Sequence, residues 1–376
     1  MNSIEIHSSD NLPDSVKFTW NGFIADKKTD LSGFDATATY EWFDSLYSAF
    51  PAAASTKVIT ILANEEIVLI MPIFEFSNSF LGKDLKATTD LYGGRCGLLV
   101  QSNQYGAIED FLKGIGKAFS NWRSLQITTV HDNIGTNELR RACRKMKFPF
   151  IEGTPMPSPY YPILDNGQAF NELISKDLKQ RLKSSTKKLN AAGKVSYKIY
   201  TEEDSSETLL AEILQIERQS WKHEAGTAIS NNPQQISFYQ EMFPRAMRAK
   251  CFFAQLMYMD DKPAAYNFGL VRDGVFCSLK VSHIQALHKL TPSYVLNNSV
   301  IDNLRQSGIN TYDCMGKPEQ HKLNWSSATR LYSRTAITIF NKNPAGVATY
   351  LSKKLKIKLN SNRQKDDGCS AANDQQ

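Results

Sequence analysis

Cysteine is scarce in this 376-residue sequence, and its six copies (Cys96, Cys143, Cys251, Cys277, Cys314 and Cys369) stand singly. No Cys-x-x-Cys pair and no Cys/His cluster occurs, which excludes the common zinc modules and a disulfide framework. No metal is expected, and reduced thiols fit a cytoplasmic protein. Long hydrophobic runs are also lacking: stretches such as Ile67–Phe74 fall far short of the ~20 residues of a membrane helix. The N-terminal residues have neither a basic start nor an apolar core, so no secretory signal is expected. Strong charge bias is absent too. The formal charge of +6 favours anionic ligands without defining a nucleic-acid binder. What is present is an ordinary globular composition, 41% hydrophobic and 22% charged. The length suggests about two domains.

In the first half, residues 35–50 read as a helix, with Tyr40, Phe43, Leu46 and Phe50 on one face. Two apolar runs around Asn64-Glu65-Glu66 give a hairpin signal. Residues 105–121 suit a helix, "LQITTV" a strand and "TNELRRACRKMK" another helix. The segment "GTPMPSPYYPILDNG", rich in proline, is expected to be neither helix nor central strand and to mark the crossing between two domains.

The second half opens with a helix ending at Gly193. Its outer face carries Lys176, Lys179, Arg181, Lys183, Lys187 and Lys188 against Asp177 alone. Strand "KVSYKIY" and two helices follow, the second with a kink or break expected at Pro244. Three strands then form a meander with tight turns at Asp260-Asp261-Lys262 and Asp273-Gly274. A helix starts after Pro292, the strand "INTYDCM" follows, then "RLYSRTAITIF" and a basic amphipathic helix. The order is that of an α+β fold on a largely antiparallel sheet. The two halves share enough pattern to suggest an internal repeat. The expected organisation is an N-terminal domain (1–153), a C-terminal domain (154–345), the basic helix (346–359) and a disordered tail (360–376).

The stretch Leu290, Thr291, Pro292, Ser293, Tyr294 is a helix start of the kind whose free N–H groups bind phosphate. Ahead of it and after it, seven weak motifs occur in order. They are Ser158-Pro159-Tyr160, Arg181 among its lysines, Trp221, Phe238-Tyr239, "DDKPAA", "LTPSYVL" and "YDCMGKPEQHKLNW". Together, over roughly residues 155–340, they resemble the Gcn5-related N-acetyltransferase (GNAT) superfamily, on its CelD-type and FemAB-like branch. The resemblance implies two tandem GNAT-like domains, the first degenerate, each a mostly antiparallel mixed sheet flanked by helices.

It also implies acyl transfer to an amine, with acetyl-CoA or a longer acyl-CoA as co-substrate. The acceptor would be a small envelope, polysaccharide or amino-acid-type amine. Lys322 matches the family's late lysine and would stabilise developing negative charge. Glu319 or Asp313 would accept the amine proton, with His283 a further base. Leu290, Thr291, Ser293 and Tyr294 would hold the donor's phosphates, although Ser293 stands where the family often has glycine. Trp221, Tyr266, Asn267 and Arg181 would shape the acceptor side, whereas His223 and His321 read as surface histidines. Two alternatives stay open: an aminoacyl-tRNA-dependent transferase whose basic helix binds RNA, and a non-catalytic interaction module. Peripheral contact with the inner membrane face through "SKKLKIKL" is also open.

Overall fold

A computed structural model describes residues 2–25, 36–49, 56–79, 81–87, 98–165 and 168–373. The first half contains β1 (Ser3–Ser8), α1 (Asp14–Ala25), α2 (Tyr40–Ala49), β2 (Lys57–Ala63), β3 (Glu66–Ser79) and β4 (Gly82–Ala87). It continues with β5 (Leu99–Val100), α3 (Gly106–Ala118), β6 (Trp122–Val130), α4 (Ile134–Lys145) and β7 (Phe150–Glu152). Asn64 and Glu65 take positive φ, 50° and 68°, the geometry of a two-residue hairpin turn that matches strand twist. Phe50, expected on the buried face of α2, lies outside the described residues.

The second half holds β8 (Met156–Pro162), β9 (Leu164–Asp165), β10 (Gln168–Ala169), α5 (Phe170–Leu173), α6 (Lys176–Ala192), β11 (Val195–Tyr200), α7 (Ser206–Arg218) and α8 (Trp221–Glu224). Next come α9 (Pro233–Arg248), the meander β12 (Phe252–Met259), β13 (Lys262–Arg272), β14 (Val275–His283), then α10 (Pro292–Gln306) and β15 (Thr311–Asp313). The chain ends with α11 (Gln320–Leu323), β16 (Arg330–Phe340) and α12 (Pro344–Asn373). The helix expected before Gly193 is two helices, because Ser175 breaks it and caps α6 by accepting from the Leu178 amide. Helix α9 runs through Pro244 rather than breaking there. Helix α12 continues well beyond residue 359, where apolar periodicity stops supporting it and a disordered tail was expected.

Among the described residues one 14-stranded sheet runs in the order β1-β2-β3-β4-β6-β16-β8-β15-β14-β13-β12-β11, with β5 on β3 and β7 on β16. Each half is an antiparallel meander closed by one parallel pair, β4 with β6 and β14 with β15. In each case the crossover carries a helix, α3 or α10. The repeated plan is that of two tandem GNAT-like units. Among the described residues no helix is long and apolar enough to cross a membrane.

Strand β8 corrects the reading of the proline-rich segment: it lies inside the sheet, between β16 and β15. Strand parity explains why it can. The Pro159 carbonyl accepts from the Cys314 amide, so Pro159 and Pro157 direct their missing N–H toward β15, which ends at Asp313. Pro162 directs its own toward β16, whose pairing with β8 stops at Tyr160. Each proline thus sits where no ladder bond is demanded.

Three cores hold the sheet. One packs α1 and α2 of the first half against α7, α9 and the second meander. There Trp42 meets Phe238 edge to face at 4.9 Å, and Arg245 binds Asp44 at 2.7 Å. Buried aromatics of this size contribute about 1.5–3 kcal/mol each. A second core fills the first half around α3 and α4. The third, on the opposite face of the second meander from α9, holds α5, α6 and α10.

Candidate active site

The site begins with a short strand. β15 pairs with β14 only through Val275, Cys277 and the residue between them. Beyond that, β14 runs on to His283 while β15 ends, and the two part. The gap opens a cavity of about 430 Å³. One wall is β14 itself, Ser278 to Val281. Another is the first turns of α10, with Ser293, Tyr294 and Asn297. Trp221 and Lys222 of α8 stand on a third side, and the loop from Cys314 to Trp325 folds over with Glu319, His321 and Lys322.

A β-bulge shapes the β14 wall. Lys280 pairs with Phe268 and Ser278 with Gly269, leaving Leu279 unpaired. The extra residue reverses the in–out alternation of the strand. Phe276 faces the α10 side, yet Lys280 reaches Gln235 of α9 on the other face. Gly269 lies opposite because a Cβ there would stand 2.0 Å from the Cys277 carbonyl oxygen.

Behind the cavity lies a polar network. Asn267 donates to Asn297 at 2.8 Å and to the Tyr312 hydroxyl at 2.9 Å. Tyr312 stacks on Tyr161 with centroids 5.0 Å apart. Tyr266 donates to Glu217, which also accepts from the Ile229 amide and stands 3.8 Å from Lys222. Tyr266 and Asn267 are themselves fully buried. They therefore do not line the cavity, where the sequence reading put them; Asn267 bonds to residues that do, Asn297 and Tyr312.

Of the other sequence candidates, Lys322, Glu319, Ser293, Tyr294 and Trp221 meet in the cavity. Lys322 Nζ is 2.9 Å from Glu319 Oε2, and hydrogen bonding with Lys322 is the chief cause that lowers the Glu319 pKa. Asp313 is buried off the cavity wall, accepting from the Met315 amide at 2.8 Å and the Tyr332 hydroxyl at 3.2 Å. It does not line the cavity. His283 does not line the cavity; its Nδ1 is 2.7 Å from Ser293 Oγ and its Nε2 is 3.2 Å from His288 Nδ1. Burial above all, then His288 and Lys222, bring its pKa down to about 4.

Leu290 and Thr291 lie before the α10 wall and do not line the cavity. Thr291 takes the left-handed conformation (φ 52°), and its hydroxyl meets Ser185 Oγ at 2.7 Å. It forms no side-chain cap on α10. Ser175, Ser205, Asn232 and Asn133, by contrast, cap α6, α7, α9 and α4. The first-turn N–H groups of α10 therefore lack the side-chain acceptor those helices have. Ser293 lies inside the helix, so the family's glycine is not required here for backbone freedom. Arg181 also stays outside the cavity, its guanidinium 5.9 Å from the Tyr294 ring, which stacks on Trp325.

Sequence reading missed Lys222, Lys280, Asn297 and His321, all of which line the cavity. A lysine in mid-strand among apolar neighbours, "FCSLKVS", was the available signal for Lys280. Burial lowers the pKa of His321. Among the described residues no group of His, Cys, Asp or Glu is arranged to hold a metal ion.

Two meanders, each closed by a parallel strand, and a cavity where the second parallel pair parts define a tandem GNAT-like protein. Residues 176–323 match the family described as an acetyltransferase (GNAT) domain. The crystal structure of FemX shares the fold over 88% of this chain and 96% of that one, with TM-score 0.60 and 11% identity. A conserved protein of unknown function from Bacteroides thetaiotaomicron does so over 90% and 100%, with TM-score 0.57 and 10% identity. For L-PGS from Bacillus licheniformis the values are 89% and 94%, TM-score 0.51 and 10% identity. At these identities the likeness is one of fold. No curated protein matches the chain.

Proposed function

We propose that the chain is an acyl-CoA-dependent N-acyltransferase, acting on the amine of a small envelope, polysaccharide or amino-acid-type acceptor. In this reading residues 1–153 form a degenerate supporting unit and 154–345 the working one. The observation that carries it is the parting of β14 and β15 beside the α10 start, with Lys322 over the gap. A thioester lying in the gap would direct its phosphates to the α10 first turn, where N–H groups favour anions. The amine nitrogen attacks the thioester carbon, the carbon–sulfur bond breaks, and the sulfur leaves as thiolate. Lys322 stabilises the oxyanion and the departing sulfur. Glu319 orients Lys322. His321, whose lowered pKa keeps the ring neutral, accepts the amine proton.

Calorimetric titration with acetyl-CoA and longer acyl-CoAs, followed by thiol release with an amine panel, tests this. Absence of binding by every acyl-CoA overturns it. The aminoacyl-tRNA reading is supported by one feature, the exposed lysines of α6, a helix whose Ser185 hydroxyl meets the Thr291 hydroxyl at the start of α10. It requires tRNA binding that weakens steeply with salt and is lost on Lys183→Ala/Lys187→Ala.

A further inference from the structure

Positive charge is left over in the cavity. Lys322 is matched by Glu319. Lys222 donates to the Val281 carbonyl at 2.7 Å and has the buried Glu217 at 3.8 Å. Among the described residues Lys280 has no ion-pair partner of its own and shares the attraction of Glu217 with Lys222, one carboxylate for two ammoniums. Its Nζ donates to the neutral Gln235 Oε1 at 3.2 Å. Two ammoniums taken partly out of water against one carboxylate are costly. The pressure is visible in its neighbour: burial first, then Lys280 and Lys322, bring Lys222 down to about 8. Burial lowers Lys280 as well, against the opposing pull of Glu217. An anion between these side chains would relieve both effects.

The placement says which substrate brings that anion. The donor's phosphates belong at α10, which packs on one face of the second meander. Lys280 is turned by the bulge to the other face, toward α9, beside Trp221 and Lys222 of α8. Trp221 is 49% exposed at the mouth on that side. An acid bound there reaches the cavity from the side opposite the donor.

We infer that the acceptor amine carries an acidic group of its own, a carboxylate or phosphate, and that Lys280 and Lys222 bind it. The word acceptor rests on the acyltransferase reading, whereas the anion site does not. Lysine ammoniums act as point charges that suit either acid.

The test has two arms on the full chain. In the first, acetate, inorganic phosphate and glucosamine 6-phosphate are titrated calorimetrically at low salt. Saturable binding is expected, weakened by about tenfold or more in Lys280→Met and retained in Lys280→Arg. No saturable binding, or binding unaffected by Lys280→Met, overturns the anion site; acetate against phosphate tells the two acids apart. In the second arm, thiol release from acetyl-CoA is compared for glucosamine 6-phosphate against glucosamine, and L-alanine against L-alaninamide. The acidic member of at least one pair should be favoured by about tenfold in kcat/KM, a preference that disappears in Lys280→Met. Equal use of both members in every pair overturns the acceptor assignment. Anion binding with no thiol release from any amine overturns the transfer reading and leaves the anion site standing.

Discussion

The imidazole of His283 and the hydroxyl of Ser293 meet at 2.7 Å, tying the end of β14 to the first turn of α10. The contact joins the two walls of the cavity at their open end. It also fixes a serine hydroxyl beside the helix start to which the donor's phosphates are assigned. His288 stacks on the other side of His283, with ring centroids 5.4 Å apart.

His283 should therefore stay neutral where a free histidine is charged. The unfolded chain takes up this proton near pH 6.5, whereas the folded chain does so only near pH 4. Between those values the unfolded state binds more protons, so stability falls as pH falls, by at most about 1.4 kcal/mol per pH unit. Urea midpoints measured from pH 4 to 7 should show that slope and a flatter one in His283→Gln. Equal slopes would remove His283 as the cause.

Lys322→Ala should lower kcat by about 100-fold, the usual scale for removing one group that stabilises transition-state charge. Stability should change by less than ~1 kcal/mol, because the Lys322–Glu319 pair is half open to water. Acetyl-CoA affinity and the melting curve, measured beside turnover, separate the two effects. Unchanged turnover would exclude Lys322 from the chemistry.

Gly316 gives a second handle on the same ammonium. A Cβ built there would stand 2.6 Å from Lys322 Nζ. The obstructing atom is the end of a flexible side chain, so the lysine yields and the backbone does not. Gly316→Ala should lower kcat at least about tenfold with the fold intact, and should add little in a Lys322→Ala background. Additive losses in that double variant would show that Gly316 acts by another route.

These residues differ in how far the sequence disclosed them. The meander was legible because its turns are local: Asp260-Asp261 and Asp273-Gly274 take positive φ, as their side chains allow. The α10 start and the loop carrying Lys322 were legible for the same reason, with Trp325 anchoring the loop against Tyr294. Lys280 was not, because a bulge decides its face, and a bulge depends on the register with β13. Lys222 and Asn297 reach the cavity from separate helices that only the sheet brings together. The prolines of β8 misled for a related reason. A proline excludes a ladder bond only where a neighbour would form one, and neighbours are not local information.

Gly269 tests whether the bulge builds the site. An added Cβ would meet the Cys277 carbonyl oxygen at 2.0 Å and the Phe276 ring at 2.7 Å. The carbonyl is backbone in the middle of the sheet, where relief requires β13 and β14 to separate or re-register. Gly269→Ala should cost about 3–5 kcal/mol, among the larger single-residue effects, read from denaturant midpoints. Gly106→Ala, where nothing lies within 4 Å, is the matched control and should be neutral or slightly stabilising. If Gly269→Ala folds by losing the bulge, the alternation beyond it reverts and Lys280 turns toward α10. Anion binding would then fall with acetyl-CoA binding less affected, whereas a variant of native stability and unchanged anion affinity would show that the bulge does not set the direction of Lys280.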